Sequence, residues 1–102
     1  MKSPGSRLRK LREQQGLTMR DVEAASRAVA RSRRSRRYVV LASRLSVIEN
    51  NPTIPSLQRL YTLSLLYGQS LRRLLALYGL PLRPAAADRA AIERALRVRR
   101  SR

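Results

Sequence analysis

Cysteine, histidine, phenylalanine and tryptophan are all absent from the 102-residue chain. Without thiols or imidazoles there are no disulfides, no thiol nucleophile, no histidine base and none of the usual transition-metal ligands, so neither a metal nor a cofactor is expected. Acid is scarce too, at 6 Asp+Glu against 23 Lys+Arg. Glu13, Asp21, Glu23, Glu49, Asp88 and Glu93 are assignable to caps, helix surfaces or one ion pair, which leaves no active pocket and argues against an enzyme. No apolar run approaches the roughly 20 residues of a membrane span, and the opening MKSPGSRLRK lacks a signal-peptide apolar segment, so a cytoplasmic protein is expected.

What is present is charge and small aliphatics. The net charge is +17, with a pI near 12.0, a field that attracts polyanions. Four tyrosines are the only rings, so a core must come from Leu, Val, Ile and Ala, which favours helices. A chain of this length supports a single core.

Residues 1–5 read as a flexible lead, after which Ser6 can cap a first helix over residues 7–15 whose Leu8 and Leu11 face inward and which Gly16 ends. Leu17 plugs the turn. Thr18 with Asp21 forms a capping-box-like pair opening a second helix, with Val22, Ala25 and Val29 inward and Arg20, Glu23 and Arg27 toward water. Residues 27–39 form a basic extension containing Arg33, Arg34, Arg36 and Arg37, helical until a break near Ser35. It reads either as a solvated loop or as a phosphate-contacting arm.

The chain is organised around LASRLSVIENNPTIP, residues 41–55. Leu45 and Ile48 share one helical face, while Ala42, Ser43, Val47 and Asn50 lie on another. A helix from Ala42 to Glu49 is a rod of roughly 12 Å, a length suited to a DNA major groove about 12 Å wide. Ile54 is expected to pack inward, and Pro55 to open a further helix that Gly68 ends. Ser70 caps another that runs to Gly79. Leu65, Leu66, Leu77 and Leu80 exceed what so small a core needs, and either meet a second subunit or cover a wide helix face. In residues 81–102 two prolines interrupt, and Asp88 can cap a last, basic helix to about Arg99 with a thin stripe of Ala91, Ile92, Ala95 and Leu96. That tail suits a DNA backbone, a membrane surface or a partner helix, or it frays.

The segments LRKLREQQGLTMRDVEAAS and SRLSVIENNPTIPSLQRLYTLS resemble the helix-turn-helix domain of Cro and phage-repressor-like regulators, the xenobiotic-response-element family. SRLSVIEN and PSLQRLYTLSLLYG are similar to a bacterial subgroup with a lengthened connection between the second and third helices. The resemblance covers Ser6 to Gly79 and implies an all-α, five-helix domain over residues 6–80, to which a basic C-terminal helix is added. It implies that helix three reads bases through Leu41, Ala42, Ser43 and Val47, with Thr18, Met19, Asn50 and Arg59 at or near phosphate-contacting places; beside these, Arg20 and Arg44 read as backbone-contacting or flanking cations. Arg12 and Glu49 match an ion pair that links the first helix to the third. Two departures stand out. Asn51 replaces a turn glycine and is expected in the left-handed region. Leu41 replaces the usual Ser or Thr cap, at a cost of about 1 kcal/mol.

The implied function is sequence-specific binding of double-stranded DNA by a bacterial transcription regulator, as a homodimer on half-sites roughly 34 to 36 Å apart. Two alternatives stay open: an antitoxin-like protein that binds a protein partner through the spare leucines or the tail, and a general nucleic-acid binder.

Overall fold

The computed structural model describes residues 3–100, whose regular elements are all helices, with no strand among them. In chain order they form α1 (Pro4–Gln14), α2 (Met19–Arg33), a single 3-10 turn (Arg36–Tyr38), α3 (Ala42–Asn50), α4 (Leu57–Tyr67), α5 (Leu71–Ala76) and α6 (Ala86–Arg100).

Helix α1 begins earlier than its sequence pattern predicts. The Ser3 hydroxyl, rather than that of Ser6, accepts the first free amide, and Pro4 supplies a preset φ at the first helical position. Gly5 is buried instead of loose, because it lies against the last carbonyls of α3 and a Cβ there would collide with the Glu49 carbonyl. The flexible lead expected over residues 1–5 is therefore not found from Ser3 to Gly5, and Met1 and Lys2 lie outside the described residues.

Thr18 and Asp21 make a reciprocal capping box at the start of α2. Its inward stripe is Val22, Ser26 and Ala30 at four-residue steps, with Ala25 and Val29 only half-buried. The pattern misled here because Ser26 is polar, yet its hydroxyl is satisfied inside by the Glu23 carbonyl and the Val40 amide. The helix ends at Arg34, a left-handed residue with φ 54°. The basic extension is thus helix through Arg33, then a turn.

Asn51 is extended, at φ −133°, rather than left-handed, and its side-chain oxygen accepts the Thr53 amide in a local turn. Ile54 is 40% exposed and does not enter the core. Pro55 precedes α4, which Ser56 caps through the Arg59 amide. Asp88 lies in the first turn of α6 rather than before it. The core is Leu8, Val22, Val40, Leu45, Ile48, Leu60, Leu63, Tyr67 and Leu74, so α1 to α5 and the strap before α3 all contribute. Of the four spare leucines, Leu66 and Leu77 pack on this core, while Leu65 and Leu80 are exposed.

Helix α6 has no buried residue. The radius of gyration is 17.5 Å, whereas a compact chain of this length has about 13 Å, and the excess reflects a helix that stands off the core. No helix among the described residues is long and apolar enough to cross a membrane.

Candidate nucleic-acid interface

Helix α3 presents two unlike faces. Leu45, Ile48 and Glu49 are buried, and burial of the two aliphatic side chains contributes roughly 1.5–3 kcal/mol each. Ser43, Arg44 and Val47 are exposed, Ala42 is half-buried, and Leu41 at the cap is 44% exposed. Ser43 and Val47 are one helical turn apart, so a small hydroxyl and a small aliphatic group share an outward stripe.

Each end of this helix is tied to a different element. At the far end Glu49 takes two hydrogen bonds from Arg12, Nε to Oε2 at 2.8 Å and Nη2 to Oε1 at 3.1 Å, while Arg12 Nη1 donates to the Leu17 carbonyl at 2.8 Å. The pair is nearly closed to solvent, and the Glu49 hydrogen bond is the main cause holding the Arg12 guanidinium above its ordinary pKa. At the near end Leu41 provides no side-chain cap. Glu23 of α2 supplies one instead, its Oε1 accepting the Ala42 amide at 2.8 Å while Oε2 meets Arg27 at 3.3 Å. Those contacts, the Ala42 amide first, hold the Glu23 carboxyl below its ordinary range, so it is ionised at neutral pH.

Cations surround the near end. Arg27, Arg36 and Arg59 line one recess of about 530 Å³ together with Val39 and Leu41. Arg59 also borders a second recess, of about 290 Å³, that includes Arg44, Val47 and Asn51. Its Nε donates to the Val39 carbonyl at 3.3 Å, which places this guanidinium between the outer face of α3 and the basic turn. An arrangement of several guanidiniums around small uncharged side chains suits an anion held at the rim of an apolar and hydroxylic surface.

The other sequence-predicted residues are distributed less evenly. Arg33 is exposed and lies over the rings of Tyr38 and Tyr61, at 5.6 and 5.9 Å from their centroids. Arg34 shares a shallow recess with Arg31 and Arg36 at the end of α2, and Arg37 is exposed. Thr18, Met19 and Arg20 sit at the opposite end of α2, about 22 Å away along a 15-residue helix; Met19 packs on the core and Thr18 is occupied in the capping box. The exposed Asn50 turns its amide back onto the Ser46 carbonyl at 2.8 Å. Sequence reading missed Glu23, which it assigned to water; Arg27, read as facing water at the head of the basic extension, is indeed exposed. The available signal was the missing cap at Leu41, which demands an acceptor from elsewhere.

The sequence model of a family described as a helix-turn-helix domain matches residues 5–80. No curated protein and no solved structure matches the chain.

Proposed function

The chain belongs to the helix-turn-helix domain family, and on that premise we propose that it binds double-stranded DNA in a sequence-specific way as a bacterial transcription regulator of the Cro and phage-repressor type. Helix α3 enters the major groove, with Ser43 hydrogen-bonding to base edges and Val47, Ala42 and Leu41 meeting thymine methyls. Arg27, Arg36, Arg44 and Arg59 take the flanking phosphates, with Arg34 and Arg37 extending the track from the basic turn. Arg20, with Thr18 and Met19 beside it at the start of α2, approaches the backbone further along. A homodimer places two such helices on neighbouring half-sites.

The observation that carries this reading is the outer face of α3, open to solvent and bordered by two arginine-lined recesses while both helix ends are anchored. Selection of bound duplexes from a random DNA pool tests it. The wild-type protein is expected to yield a consensus, and the S43A and V47A variants a shifted or degenerate one. Recovery of duplexes without any consensus would instead identify a general nucleic-acid binder. The bare stripe of Ile92 and Leu96 on α6 favours a second role, an antitoxin-like contact with a protein partner, which stable co-purification of that partner would support.

A further inference from the structure

Resting on the reading of α3 as the groove helix, we propose that Glu23 is a positioning residue for base recognition. From α2 it holds the first turn of α3 in the orientation that presents Ser43 and Val47, without itself touching a base. Leu41 leaves the leading amides of α3 uncapped, and Glu23 Oε1 takes the Ala42 amide at 2.8 Å. On the same side of α2, Ser26 is fully buried and its hydroxyl accepts the Val40 amide at 2.9 Å. Two residues one turn apart on α2 therefore grip two alternate amides of the chain leading into α3. The long basic connection between these helices would otherwise leave their relative orientation loose.

The opposite end of α3 is already fixed by Glu49 and Arg12. With one end fixed, the other can still fray, and one residue of helix turns the outward direction by about 100°. Ala42 and Ser43 lie in the turn that Glu23 holds.

Charge supplies the second line of reasoning. An anion beside Arg27, in a face otherwise lined by Arg36 and Arg59, opposes the approach of phosphate. Its placement is accounted for by geometry and not by attraction. Removal should therefore act with opposite signs, strengthening sequence-independent binding while weakening discrimination.

The test compares wild type, E23Q and E23A on the selected duplex and on a scrambled duplex of equal length at one salt concentration, with amide hydrogen exchange measured at Ala42 and Leu63. Both variants are expected to bind the scrambled duplex at least as tightly as wild type. The ratio of selected to scrambled affinity should fall roughly two- to thirtyfold in E23A, the span that a lost helix cap corresponds to. A smaller fall is expected in E23Q, whose side-chain oxygen still accepts. Exchange at Ala42 should accelerate while Leu63 in the core keeps its protection. An unchanged ratio in E23A overturns the proposal, as does a parallel loss on both duplexes with exposure of Leu63, which is general destabilisation. Should wild type itself fail to discriminate, the groove reading falls. Ala42 exchange then decides separately: acceleration in E23A upholds the hold on α3, and no change overturns it.

Discussion

Tyr67 shows how tightly single groups are constrained in this small core. Its ring is fully buried and its hydroxyl has no hydrogen-bond partner among the described residues. Burial first, and the nearby Glu49 charge second, push the phenol well above its ordinary pKa. Because an unpaired buried hydroxyl costs about 1–3 kcal/mol, Y67F is expected to raise stability by about 1 kcal/mol, read as a higher denaturant midpoint with an unchanged slope. Arg34 makes a second case. It occupies the left-handed region, where a residue with a Cβ is strained by about 1 kcal/mol, and glycine would fit. R34G should therefore raise the melting temperature slightly while weakening DNA binding, so that stability and affinity move apart in the same variant. Glu23 and Asp21 add a pH dependence. Both carboxyls are held low, by the Ala42 and Thr18 amides respectively, so their contribution is present above their ordinary values of 4.5 and 3.8 and is lost as pH falls through the lower folded values. Thermal melts should hold level from neutrality down to that range and then decline, less steeply in E23A.

Among the elements, α3 depends on its ties more than on its own sequence. Nine residues make a helix too short to be stable alone, and its leading residue cannot cap it. The Arg12–Glu49 pair joins α1 to α3 with side chains 10% and 2% exposed, and removal of one partner strands a buried charge. R12A or E49A is expected to cost about 3–5 kcal/mol, whereas R12M combined with E49L should recover most of that loss, as a double-mutant cycle by chemical denaturation would measure. Much of this architecture is legible in the sequence. Leu45 and Ile48 mark the inward face of α3, Gly68 the end of α4, and Thr18 with Asp21 the start of α2. What escapes is long-range satisfaction of polar groups. Ser26 looks like a surface residue until the Val40 amide is brought to it across 14 residues of chain, and Glu23 looks solvated until Ala42 arrives. Local periodicity carries no information about such partners, nor about the Gly5 contact that pulls the N-terminal lead into α1.

At the scale of the whole molecule, charge and packing are distributed differently. The domain of α1 to α5 contains the entire core, whereas α6 contributes five arginines, at positions 89, 94, 97, 99 and 100, and no buried side chain. Its loss should scarcely alter folding, because none of its residues is buried. Its effect on DNA binding should be electrostatic. Each phosphate neutralised adds about 0.9 to the slope of log affinity against log salt, so about six to ten contacts would lower affinity by orders of magnitude between 50 and 200 mM salt. A chain ending after Ala85 is therefore expected to melt within a few degrees of the full chain and to keep its DNA consensus. Its salt slope should be shallower by about one for every α6 arginine that meets a phosphate. An unchanged slope would show that α6 lies clear of the duplex and reserve its stripe for a protein partner. A shifted consensus would instead draw the tail into base recognition.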